Sequence, residues 1–181
     1  MRFVRPFSTI AVSLLIVTGC SHMQQLTRGT DDVCGSLQQL IDDYDNGFAG
    51  FRGKGTQMPL STVYDAKVEL VEGHCQIWNW GQGDSAYLCS ASNRDLETAR
   101  QRHERSLAAV RGCLGSPWQE EGDWRERNGE TDGYASRFRS PETHAVVSVQ
   151  TTLQTGGPGR RYTNFLFIGG EARSNSMTGT N

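Results

Sequence analysis

The chain has 181 residues, a formal net charge of −2, 36% hydrophobic residues and five cysteines. One domain with a short appendage fits that length, since domains run about 100–200 residues. The balanced charge argues against nucleic acid, which selects a basic surface. Lacking a three-residue glycine period and an apolar run of about 18 residues, the chain is neither collagenous nor a multi-span membrane protein.

At the N-terminus, Arg2 and Arg5 precede a short apolar stretch from Phe7 to Val17. That is about half of what an α-helix needs to cross a roughly 30 Å hydrocarbon core, so the segment reads as an export signal rather than a span. Its end, Val17-Thr18-Gly19-Cys20, sets an aliphatic and two small residues before a cysteine. Small residues leave the backbone open to a protease, and the thiol is a nucleophile for lipid attachment. This pattern resembles the lipobox of bacterial lipoproteins. The resemblance implies cleavage before Cys20, a diacylglycerol on its sulfur and an acyl chain on the new amine. At about 0.8 kcal/mol per buried CH₂, several chains anchor a protein firmly. In that family an Asp after the cysteine retains the protein at the inner membrane. Ser21 stands there instead, which implies the outer membrane, on its periplasmic side. The chain then divides into a lipoprotein signal peptide (1–19), a lipidated tether (20–30), an α+β domain (31–169) and a disordered tail (170–181).

A first helix is predicted from about Asp32 to Asn46, with Asp31 or Asp32 as N-cap, Gly47 ending it, and Cys34, Leu37, Ile41, Tyr44 and Phe48 on one stripe. A turn with two aromatics, Phe48 and Phe51, and a loop at Met58-Pro59 follow. Strands are predicted near 62–72, 74–80 and 85–90. Between the last two, Gly81-Gln82-Gly83 suits a three-residue hairpin loop with glycine in the left-handed region. That loop sets Cys75 opposite Cys89 and Ile77 opposite Tyr87, within bridging range. A second helix is predicted from Ser92 or Asn93 to Gly112–Gly115, with Ala99, His103, Ser106, Val110 and Cys113 on its apolar stripe.

With Cys20 lipidated, an even four cysteines remain in an oxidising compartment, which predicts two disulfides. The hairpin pairs Cys75 with Cys89, and Cys34 with Cys113 then joins the two helices on their buried faces. Metal ligation would need clustered ligands such as Cys-x-x-Cys, and His74-Cys75 is the one close pair. No metal site is therefore predicted, and no cofactor beyond the covalent lipid. Strands at about Trp118–Arg125, Tyr134–Arg139, Ala145–Leu153 and Tyr162–Ile168 complete the order αβββαβββ(β). The fold class is α+β: one twisted antiparallel sheet of about six or seven strands with both helices on one face.

The sequence contains no Gly-x-Ser-x-Gly, phosphate loop or His-Glu-x-x-His. His103, on the apolar side of the second helix, reads as a core or boundary histidine satisfied by a neighbour. Glu142 and His144 flank a turn. Trp78 and Trp80 alternate onto the side of the hairpin opposite Cys75 and Ile77, where an open sheet face would make them a binding surface. The expected function is a non-enzymatic module that binds a protein in the periplasm, as an envelope or secretion assembly factor or as a toxin-immunity protein. The alternative is a glycan or small-ligand module of the envelope, and the third reading a cell-wall hydrolase.

Overall fold

Cys75 and Ile77, Tyr87 and Cys89, Val147 and Val149, Leu166 and Ile168 lie at two-residue spacing and form one buried face of a sheet. The computed structural model describes residues 29–127, 129–154 and 161–178. Cys20 and the lipobox lie outside the described residues. The strands are β1 (Arg52–Gln57), β2 (Thr62–Ala66), β3 (His74–Gly81), β4 (Asp84–Asn93), β5 (Gln119–Arg127), β6 (Glu130–Arg139), β7 (Ala145–Gln154) and β8 (Arg161–Gly170). They make one eight-stranded sheet in the order β1-β2-β3-β4-β8-β7-β6-β5, and every pairing is antiparallel. The helices are α1 (Val33–Asp42), α2 (Leu96–Cys113) and α3 (Glu171–Thr178). The α+β class stands, but among the described residues the expected six or seven strands and two helices become eight and three.

Each departure has a local cause. β1 reads Arg-Gly-Lys-Gly-Thr-Gln and carries no apolar alternation, so nothing in it announces a strand; it is an exposed edge recruited by pairing with β2. α1 ends four residues early because the Asp43 carboxylate closes the next turn, accepting from the Asn46 amide and from the Gly50 N–H (both 2.9 Å). The apolar stripe nevertheless continues past the helix. Phe48 adopts a left-handed φ of 60° and is fully buried between Tyr44 and Tyr87. Burying a phenylalanine contributes about 2–3 kcal/mol, more than the left-handed backbone costs.

The strand expected over 62–72 stops at Ala66. Beyond it Leu70 turns into the core, and Tyr87 pins the loop: its hydroxyl donates to the Val68 carbonyl (2.8 Å) and accepts from the Leu70 N–H (2.9 Å). Burial raises the pKa of that phenol and keeps it a donor. α2 starts at Leu96, later than expected, because Ser92 and Asn93 are still paired with β8 and Asp95 caps the helix through the Thr98 N–H (2.7 Å). Residues 171–178, expected to be disordered, form α3. Its sequence has no apolar stripe; what holds it are Arg139–Glu171 and Arg173–Asp84 ion pairs and the buried Ser174.

α1 and α2 pack on the face that carries Cys75 and Ile77, and Leu37, Leu40, Ile41, Leu107 and Val110 complete the core. Two disulfides join Cys75 to Cys89 across the hairpin and Cys34 to Cys113 across the helices, the pairing expected from the sequence. The hairpin register also sets Ile77 opposite Tyr87. In the chain-entropy argument a bridge over 79 residues constrains the unfolded chain more than one over 14. Replacing Cys34 and Cys113 by alanine should therefore cost about 4.5 kcal/mol and replacing Cys75 and Cys89 about 3 kcal/mol, as read from urea unfolding. Equal losses would refute the entropic ordering.

Candidate functional site

β3 brings Trp78 and Trp80 together on the face opposite the helix layer, with ring centroids 5.8 Å apart and planes at 26°. They are not openly displayed there. The Arg173 guanidinium of α3 lies 3.9 Å over the Trp80 ring, and α3 adds Ser176 and Met177 around a recess of about 220 Å³ that both tryptophans line. Both side chains are consequently half-buried. The expected open surface is thus roofed in part by the segment expected to be tail.

The exposed tryptophan is a different one. Trp124 on β5 is 65% exposed, and Leu96 at the start of α2 is 57% exposed. Between them a groove of about 300 Å³ runs beside α2, walled by Trp124 and Tyr134 on one side and by Leu153 and Tyr162 beyond. Tyr134 meets Trp124 edge-on at 5.5 Å and His103 edge-on at 5.8 Å. Gly122, one step along β5, makes room for this, since the Tyr134 hydroxyl occupies the place a Cβ there would take. Arg100 and Glu104 stand at the rim, where Arg100 is tied to Glu97 (3.0 Å).

His103 lines the groove and is 6% exposed. Its Nδ1 lies 2.9 Å from the Thr151 hydroxyl. Asn164 donates one amide proton to that hydroxyl (2.6 Å) and the other to the Ala99 carbonyl (3.0 Å). The Asn164 carbonyl accepts from Asn93 (2.7 Å), whose own carbonyl accepts from Arg102, and Arg102 is paired with Glu72. A polar chain thus passes beneath α2 from the surface at Glu72 to the groove. Two nitrogens along it, the Arg102 Nε and the His103 Nε2, are buried without a partner. Burial lowers the pKa of the imidazole, so the ring is neutral at pH 7.

Helix periodicity marked His103 as buried and missed that only one of its nitrogens is satisfied, because Thr151 and Asn164 lie far away in sequence. Trp124 lies within a charged strand, where apolar alternation gives it no weight. The signal was present in Gly122-Asp-Trp-Arg-Glu126, where a tryptophan flanked by charges on both sides has no core of its own to enter.

A larger cleft of about 590 Å³ lies between the end of α1 and the turn at Ser140–His144. It is polar, and His144 and Asp45 face each other there at 3.9 Å, both largely exposed. Among the described residues no three His, Cys, Asp or Glu side chains are placed to hold a metal, and no helix is long and apolar enough to cross a membrane. Comparison with protein-family models, curated proteins and solved structures finds no match.

A histidine whose folded-state pKa is depressed takes up its proton more readily in the unfolded chain. It therefore favours folding fully above the unfolded value, and this contribution is lost as pH falls through the folded one. Unfolding free energy should decline as pH drops from about 7 to 5, a window above the ordinary carboxylate range. His103→Gln should flatten that slope; an unchanged slope in urea titrations would show that His103 is not its source.

Proposed function

We propose that this chain is an outer-membrane lipoprotein, held by diacylglycerol and an acyl chain on Cys20, whose periplasmic domain is a non-enzymatic module that binds another protein. The observation that carries the reading is Trp124: a large aromatic, mostly exposed, on the rim of an apolar groove in a domain with a tightly filled core. Exposed tryptophans beside desolvated pockets are where binding energy concentrates at protein interfaces. The groove replaces the Trp78–Trp80 pair as the preferred surface, since α3 leans on that pair.

The groove also favours one of the two binding classes. A glycan brings many hydroxyl groups, each of which needs a partner when desolvated. The walls here are overwhelmingly apolar, which suits an aliphatic or aromatic anchor better than a sugar. An assembly factor and an immunity protein would both use such a site.

Two measurements test this reading. Radioactive palmitate should label the wild-type chain and not Cys20→Ala; an unlabelled wild type would overturn the anchor. A stoichiometric partner co-purified from detergent-solubilised envelope should bind Trp124→Ala about 30-fold more weakly, the loss of about 2 kcal/mol expected at an interface hot spot. Undiminished recovery with Trp124→Ala would overturn the docking surface.

A further inference from the structure

We propose that β5 is an open docking edge, to which the partner protein adds an extended strand, apolar on the side of Trp124 and basic on the side of Glu121 and Asp123. The inference rests on the docking reading above and adds how the partner docks and what chemistry it brings.

The sheet has two outer edges, and they differ. β1 is six residues long, shifts register between Arg52 and Gly55, and presents Lys54 between two glycines. A short, irregular edge with a lysine discourages an added strand. β5 is nine residues long and pairs with β6 alone among the described residues. Its register holds from Gln119 to Arg125, and residues 119–124 are all exposed. An antiparallel strand turns the N–H and C=O of every second residue toward the same neighbour, so this stretch holds those of about three residues toward the open side. Strand addition to such an edge supplies affinity through the backbone and specificity through alternate side chains.

Side-chain chemistry selects the strand. Trp124 pairs with Tyr134 and both line the groove, so alternation puts Glu121 and Asp123 on the other face. The Trp124 side is 65% exposed, and an added strand sets apolar side chains about 5 Å away, the spacing of a stabilising cross-strand pair. On the other face the edge is acidic. Arg125 is turned inward to Asp132 and Gln150, and Arg139, which meets Glu121 (2.7 Å), is shared with Glu171 (2.7 Å). Asp123 enters no ion pair among the described residues; its carboxylate accepts from the Trp124 N–H (2.7 Å). A lysine or arginine opposite Asp123 answers that charge. A second copy of this chain is the poorer occupant. Centred near Trp124, antiparallel registers bring Asp123 opposite Glu121, opposite itself or opposite the already engaged Arg125, and like charges directly opposite destabilise a pairing.

The test uses the full chain in phosphatidylcholine nanodiscs and synthetic peptides matched to β5 in length. One alternates lysine with leucine and one alternates glutamate with leucine. Two further forms of the lysine peptide carry backbone N-methyl groups, either at every leucine or at every lysine. The lysine peptide should bind about tenfold more tightly than the glutamate peptide, as one or two exposed ion pairs provide. It should slow amide hydrogen exchange along β5 and not along β1. Asp123→Lys should erase the preference. One half-methylated form should bind like its parent and the other should fail, since a strand turns alternate N–H groups to its neighbour. No binding of the lysine peptide, equal affinities for the two charges, protection of β1 instead of β5, or equal binding of both methylated forms would overturn the added strand. So would β5 protection that rises with protein concentration without any peptide, which would identify a second copy as the occupant. The two readings fail separately. Partner capture that depends on Trp124, with no peptide protecting β5, leaves docking intact and removes the added strand. Protection of β5 by the lysine peptide, with partner capture unaffected by Trp124→Ala, keeps the edge and overturns the groove.

Discussion

Helix α2 lies across β4, β8 and β7 and is fastened at its far end to α1 by the Cys34–Cys113 bridge. Its two halves bury different things. Leu107 and Val110, toward the C-terminal end, enter the apolar core, whereas Arg102 and His103, toward the N-terminal end, join a chain of buried hydrogen bonds. The apolar half and the bridge supply stability. The polar half supplies register, because sliding α2 by a turn would strip partners from Asn93, Asn164 and Thr151 at once, and buried amides without partners are costly.

The groove follows from a mismatch of widths. Eight strands at about 4.8 Å spacing make a sheet roughly 35 Å across, while two helices side by side cover about 20 Å. A ledge is therefore left at each edge. On the β1–β2 side the ledge carries Lys54, glycines and an Arg52 stacked on Tyr64, a surface that water solvates readily. On the β5–β6 side it carries Trp124 and Tyr134, and the polar chain under α2 opens there. The second ledge combines exposed aromatic area with a buried imidazole nitrogen that has no partner.

The topology also has an internal order. Each half of the domain is a helix followed by a four-stranded meander, α1 with β1–β4 and α2 with β5–β8, and the last strands of the two halves pair at the centre of the sheet. α3 falls outside this plan. It leans on the opposite face through Arg173 over Trp80, through the buried Ser174 and through two partly exposed ion pairs.

Much of the covalent and layered plan was legible in the residues alone. The hairpin loop Gly81-Gln82-Gly83 sets the Cys75–Cys89 register by counting, and the two helical stripes assign the other bridge by what remains. These are local readings, in which period and turn chemistry act over a few residues. The α+β class and the buried faces of β3, β4, β7 and β8 come from the same source. Tertiary structure decided the rest. β1 exists because β2 offers it a partner, α3 because Arg139 and Asp84 meet its charges, and Trp80 is half-roofed because Arg173 reaches it. The bare nitrogen of His103 depends on Thr151 and Asn164, 48 and 61 residues further along the chain. A sequence states which side chains can hydrogen-bond; which of them are left without a partner is settled only when distant strands have been laid side by side.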